Sequence, residues 1–275
     1  LRYLLATHGR FHYFELAKIL YERNQLHKII SGYPWFKLKK EKIPKGFVNC
    51  FGLFQMLIFL QQKMKYQNQS IIDNTNILNS KNIDRLALKN INQADVFLSL
   101  SQTGLNTGKE MKKSNKIYIC DRNSAHILVQ QEILSNEHRL LNLPEFKINQ
   151  WFIDRELKEY EESDIILVPS SFVKKSFEKF YTKKVKVINF PNYQRFHPVQ
   201  KVKKDQKFFD ILFIGSLSIR KGLHYLIEAF HKFNHPNKRL HIVGRHTENK
   251  GFFNQKLMHD KIFIHGFVDN LKMSE

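Results

Sequence analysis

The chain has 275 residues and is 42% hydrophobic, which excludes a disordered polymer and suffices for the cores of two modest α/β domains. Lys and Arg total 45 against 25 Asp and Glu, a formal net charge of +20 that bears on partners and not on fold. The two cysteines, Cys50 and Cys120, have no metal-ligand spacing and cannot form a disulfide framework, and no apolar run is long enough to span a bilayer, so a cytoplasmic setting is the simplest expectation.

Strand-like and helix-like segments alternate along the chain, which predicts parallel α/β layers. Arg2–Thr7 reads as the first strand, followed by a His8-Gly9-Arg10 turn and an amphipathic helix over Phe11–Arg23. Lys28–Gly32 predicts a second strand. The longest apolar run, Phe47–Leu60, is interrupted by Asn49, Gly52 and Gln55 and predicts a helix packed in the first domain. Gln67–Lys89 is polar and rich in asparagine and reads as loop or weak helix. Asp95–Leu100 and Lys116–Cys120 predict two more strands, and Ser124–Leu141 and Ile148–Glu162 two helices separated at Pro144. Ile165–Val168 predicts a strand, Ser171 the cap of the next helix, and Lys184–Ile188 a further strand.

Pro191–Gln206 combines two prolines with many charges and no periodicity, which predicts a linker. The domains expected are therefore 1–195 and 196–275. Strands follow at Phe209–Ile214, Leu240–Val243 and Ile262–His265. A doubly wound domain ordinarily has five or six strands, so the second domain is expected to be cut short.

Asp210–Phe233 carries the clearest chemistry. A short β-branched run ends at Gly215-Ser216, and Arg220 and Lys221 stand before Leu223, Leu226, Ile227, Phe230 and Phe233, which fall at helical spacing. Backbone N–H groups, the positive end of a helix and two cations then converge into an anion site. The alternative is an ordinary strand–loop–helix unit with Arg220 and Lys221 solvated. Cys120-Asp121-Arg122-Asn123-Ser124-Ala125-His126 also runs from a strand into a helix, at the end where parallel sheets place ligands. His8 and His12 are four apart, but Gly9 stands where a metalloprotease helix needs Glu, so no metal site is expected. Walker, Gly-x-Gly-x-x-Gly and Gly-x-Ser-x-Gly motifs are absent, which removes the usual hardware of nucleotide hydrolysis, dinucleotide redox chemistry and serine hydrolysis.

The positive charge leaves three explanations. No helix-turn-helix, zinc-finger or RNP-like motif supports nucleic-acid binding, which is not expected. Trp35, Phe36, Lys37, Lys39, Lys40, Lys42 and Lys45 combine aromatics with a lysine cluster, as peripheral contact with anionic lipid requires. A general lysine bias spread over solvated faces is the third.

Three blocks in order resemble glycosyltransferase family 4, retaining enzymes of the GT-B architecture. They are Ser163-Asp164 before the strand ending in Ser170, Pro191-Asn192 with Phe196-His197-Pro198, and Gly215 followed by Lys221-Gly222. Tyr193 replaces the family's usual Gly, and Ser216 stands where many members carry Arg, with Arg220 as a substitute. The resemblance implies two Rossmann-like parallel-sheet domains facing a cleft, the second incomplete. It implies transfer of a sugar from a UDP- or GDP-sugar to an acceptor hydroxyl with retention, with no metal and no other cofactor, in cell-surface polysaccharide or glycolipid synthesis at the inner face of the plasma membrane. Lys221 and Arg220 would stabilise the departing diphosphate and His126 would lie beside the transferred sugar. Gly9, Gly215, Ser216, Gly244, Arg245, Phe267 and Val268 would contact the donor, and the first domain, with Ser101–Gly104 on the same side, would hold a glycan or lipid-linked acceptor. The family's pair of glutamates for ribose and sugar would fall beyond Glu275. A basic α/β binding module, or another GT-B enzyme such as an inverting transferase or a phosphorylase, are the alternatives.

Overall fold

The computed structural model describes residues 1–64, 68–181, 184–190, 207–245 and 250–268. The chain divides into two compact units, Leu1–Ile133 with Lys147–Pro191, and Leu134–Phe146 with Asn192–Glu275. The boundary expected at 195/196, the linker and the Pro191–Pro198 block lie outside the described residues.

In the first unit the strands are β1 (Tyr3–Thr7), β2 (Leu26–Ser31), β3 (Val48–Cys50), β4 (Val96–Leu100), β5 (Ile117–Asp121), β6 (Ile165–Val168) and β7 (Val185–Val187). They form one sheet in the order β3-β2-β1-β4-β5-β6-β7, with every pairing parallel. The order reverses between β1 and β4, which makes the carboxyl ends of those two strands the switch point where open parallel sheets take ligands. All five residues of β4 are buried, as expected of a central strand covered on both faces.

Helices α1 (Tyr13–Glu22), α2 (Trp35–Leu38), α3 (Leu53–Lys63), α4 (Gln69–Leu88) and α5 (Leu105–Lys113) connect the first strands. Next come α6 (Ile127–Leu140), α7 (Gln150–Glu162) and α8 (Ser171–Phe177). Period-two alternation divides the core: Leu4 and Ala6 join Phe97, Tyr118 and Ile166 on one face, while Leu5 joins Ile29, Tyr13, Phe14 and Ala17 on the other.

Three local expectations are corrected. Gln67–Lys89 contains a 20-residue helix, α4, started by the Asn68 side chain accepting from Ile71 N–H. Its buried face includes Thr75, Asn79, Ser80 and Asp84, so apolar periodicity could not reveal it. Ser170, not Ser171, caps α8, its Oγ accepting from Val173 N–H at 3.3 Å. The run Phe47–Leu60 is split into β3 and α3, and α3 buries only Gln55 and Ile58.

The second unit has β8 (Phe209–Ile214), α9 (Leu223–Lys232), β9 (Lys238–Val243), α10 (Lys250–Lys256) and β10 (Ile262–Gly266), with a parallel sheet in the order β10-β9-β8. Leu223, Ile227 and Phe230 of α9 pack on Leu240, Ile242 and Ile262 of the sheet. Leu141 and Leu143, from the segment after α6, join this core, a placement the sequence does not signal.

Candidate functional site

In the second unit, three strand ends are locked together by glycines. Gly215 N–H donates to Val243 O at 2.9 Å, and Gly244 N–H to Gly266 O at 2.7 Å. Gly244 has φ 154°, and a Cβ there would lie 1.7 Å from Gly215 O, so no other residue fits the contact. Ser216 Oγ and Ser218 Oγ are 3.3 Å apart, and Leu217 N–H donates to Arg245 O at 2.9 Å. A 3₁₀ turn over Ile219–Lys221 leads to Gly222, whose φ of 68° reverses the chain into α9. Ile219 is buried and anchors this turn, which leaves Arg220 and Lys221 exposed beside the amino end of α9. Burial of one residue thereby presents the two cations, where the helix end adds about half a positive charge. Arg245 lies over the Phe267 ring at 4.3 Å, and Val268 follows at the end of β10. Gly215, Ser216, Arg220, Lys221, Gly244, Arg245, Phe267 and Val268 thus all lie beyond the carboxyl ends of the strands of one sheet.

In the first unit, the β4–α5 turn is held by buried carboxylates. Glu159 accepts from Gln102 N–H at 2.5 Å and Gly104 N–H at 2.9 Å. Asp84 accepts from Asn106 and Thr107 N–H, each at 2.9 Å, and pairs with Arg155 at 2.6 Å. The open N–H groups at the start of α5 are therefore satisfied by side chains of α4 and α7. Burial pushes the Glu159 carboxyl up to about 8 against the opposing pull of Arg155 and the two N–H donors. Arg122, next to Asp121 at the end of β5, pairs with Glu156 at 3.1 Å, and Glu156 also accepts from Gln102 Nε2 at 2.7 Å. A cavity bordered by His8, Gly9, Gln102, Arg122 and Glu156 lies against this network.

His126 is fully buried, and neither ring nitrogen has a hydrogen-bond partner among the described residues. Its ring stacks on Phe180 at 4.1 Å and packs edge-on against Phe177, and burial lowers its pKa to about 4. Tyr160 and Tyr181 complete the aromatic enclosure around the ring. The structure also shows what sequence reasoning missed. His12 Nε2 and Asp121 Oδ2 are 2.9 Å apart, joining the loop after β1 to the end of β5 across 109 positions. His8 instead meets Ser80 Oγ at 2.9 Å, so the two histidines have separate partners. Only the position of Asp121 at the end of β5 and of His12 in the connection from β1 to α1 hinted at this pair.

The fold and these strand-end sites place the chain in the GT-B class of α/β architecture. Residues 195–275 match the family described as glycosyl transferases group 1. HepE of Anabaena, solved with UDP-glucose, is 13% identical with a TM-score of 0.59, over 98% of this chain and 70% of that one. Sucrose-phosphate synthase of Thermosynechococcus elongatus is 13% identical with a TM-score of 0.62, over 99% and 71%. The lipopolysaccharide outer core galactosyltransferase WaaB is 12% identical with a TM-score of 0.52, over 98% and 68%. At these identities the likeness shows fold alone. No curated protein matches the chain.

Proposed function

We propose that the protein transfers a glycosyl group from a nucleoside-diphosphate sugar to an acceptor hydroxyl, with retention of anomeric configuration. The observation that carries this is the Arg220-Lys221-Gly222 turn at the amino end of α9, inside the residues that match the glycosyltransferase family. As the glycosidic bond breaks, negative charge gathers on the leaving diphosphate. Lys221, Arg220 and the helix end would stabilise it without calling for a metal. HepE, of similar fold, is solved with UDP-glucose, which supports a UDP-sugar as donor. The test is thermal stabilisation of the intact protein by UDP- and GDP-sugars. The melting point should rise with one of them, and Lys221→Ala should abolish the rise; an equal rise in the variant would remove Lys221 from the site.

One observation favours inversion as a second reading. The His12–Asp121 pair has the form of a general base with its orienting carboxylate, which a backside attack would use.

The acceptor side of this function would work at a membrane, in the synthesis of a cell-surface glycan or glycolipid. Leu53, Met56, Leu57 and Leu60 of α3, with Met64 just beyond it, are all exposed and share one helical face. The exposed lysines 37, 39, 40, 42 and 45 precede this helix in the same unit. Apolar side chains with neighbouring lysines suit an anionic lipid surface. No helix among the described residues is long and apolar enough to cross a membrane. Vesicles containing anionic lipid should sediment the protein and neutral ones should not; Leu57→Glu with Leu60→Glu should abolish the binding, and unchanged sedimentation would refute it.

A further inference from the structure

No side chain caps the turn that presents Arg220 and Lys221: neither Ser218 before it nor Gly222 after it makes a capping hydrogen bond. Its backbone bonds are internal, with Lys221 N–H donating to Ser218 O at 3.2 Å and Gly222 N–H to Ile219 O at 2.9 Å. The first turn of α9 also lacks an acidic residue of its own. Leu223 anchors it by complete burial, but burial of an apolar side chain is not directional.

A directional contact comes from Glu137, 87 positions earlier than His224. Its Oε1 accepts from His224 Nε2 at 2.8 Å, and the Tyr225 hydroxyl donates to the same carboxylate. The Tyr225 bond, ahead of the His224 one, holds the Glu137 carboxyl below the usual carboxylate range, so at neutral pH it is an acceptor. Adjacent side chains leave a helix about 100° apart. One carboxylate bonded to both therefore fixes the rotation of this turn as well as its position.

Glu137 is itself held in place within the second unit, in the segment Leu134–Phe146. Ser135 Oγ donates to Phe146 O at 2.6 Å and Leu143 N–H to His138 O at 2.9 Å, while Leu141 and Leu143 pack in the α9 core.

Stability alone does not account for the contact. His224 is 4% exposed, and with Nε2 donating to Glu137 its Nδ1 is buried without a hydrogen-bond partner among the described residues. A leucine would fill the position and orphan no nitrogen. The bonds of Glu137 go to His224 and Tyr225 and not to Arg220 or Lys221, so the carboxylate braces the turn without occupying its cations.

We infer that Glu137 is a positioning residue of the donor site. Through His224 and Tyr225 it fixes the first turn of α9, and with it the angle at which Arg220 and Lys221 meet the departing diphosphate. This rests on the proposal that the protein is a glycosyltransferase using that turn.

The sign of the effect separates positioning from charge. Glu137→Ala removes a negative charge near an anion site, which by charge alone would tighten donor binding. Loss of positioning weakens it instead, by about tenfold in Kd, the scale of one net hydrogen bond. Calorimetric titration of the intact protein with UDP- and GDP-sugars reads the difference. Glu137→Gln keeps the shape and one acceptor oxygen, so it should fold even if Glu137→Ala does not, and it should weaken binding by a smaller factor. Glu137→Ala combined with His224→Leu should bind no more weakly than Glu137→Ala alone, because the two side chains act through one contact. Donor binding in Glu137→Ala as tight as in the unaltered protein, or tighter, would make Glu137 purely structural and overturn the inference. Failure of the unaltered protein to bind any nucleotide sugar would instead overturn the donor site itself, and the inference with it.

Discussion

Asp84→Ala is expected to lower the unfolding free energy by about 3–5 kcal/mol, the usual cost of removing one partner of a buried ion pair. Asp84 is completely buried on α4 and accepts four hydrogen bonds within 2.9 Å, from Asn106 N–H, Thr107 N–H, Thr107 Oγ1 and Arg155 Nη2. Its loss would strip the start of α5 of its acceptors and leave Arg155 with the more distant Glu159 at 3.4 Å. Urea unfolding of the intact protein would show the transition midpoint of the first unit moving down. Asp84→Asn, which keeps one side-chain oxygen as an acceptor for the start of α5, should cost less than Asp84→Ala. A single substitution costing under about 1 kcal/mol would mean the pair is exposed to water in solution.

The second expectation concerns chemistry. Asp121→Asn should slow turnover by roughly 10²–10⁴-fold, the contribution of a positioned general base, if acceptor activation runs through His12. Asp121 Oδ2 holds His12 Nε2 at 2.9 Å, which fixes the tautomer with its lone pair on Nδ1. The acceptor hydroxyl would give its proton to Nδ1, its oxygen would attack the anomeric carbon, and the diphosphate would leave with the bonding electrons. Such an attack inverts the anomeric centre. His12→Ala should match Asp121→Asn in turnover, and stabilisation by the nucleotide sugar should persist in both. A product of inverted configuration would replace the retaining reading. A retained anomer with turnover unchanged in both variants would leave His12–Asp121 as a structural pair.

Periodicity and turn chemistry made much of the fold legible. Tyr3–Thr7, Val96–Leu100 and Ile262–Gly266 stand within two residues of their expected limits, because short, mainly apolar runs in parallel sheets announce themselves locally. Helix α4 was not legible, since it buries Asn79, Ser80 and Asp84 against partners distant in sequence, and no apolar stripe marks such a face. The apolar row of α3 was legible as hydrophobic but not as exposed: burial is decided by the neighbours of a helix and not by its own composition.

The candidate sites divide the same way. The sequence by itself determined the Gly215 turn and the Arg220-Lys221-Gly222 step into α9, because glycine conformation, helix start and charge are properties of adjacent residues. Only the tertiary structure decided that Gly244 must be glycine, since the atom that excludes a Cβ belongs to Gly215, 29 positions away. It also decided that His126 sits in an aromatic enclosure, that His12 meets Asp121, and that six scattered carboxamides line one cavity. Hydrogen bonding and burial act through space, and chain order records them only where sequence neighbours are also neighbours in the fold.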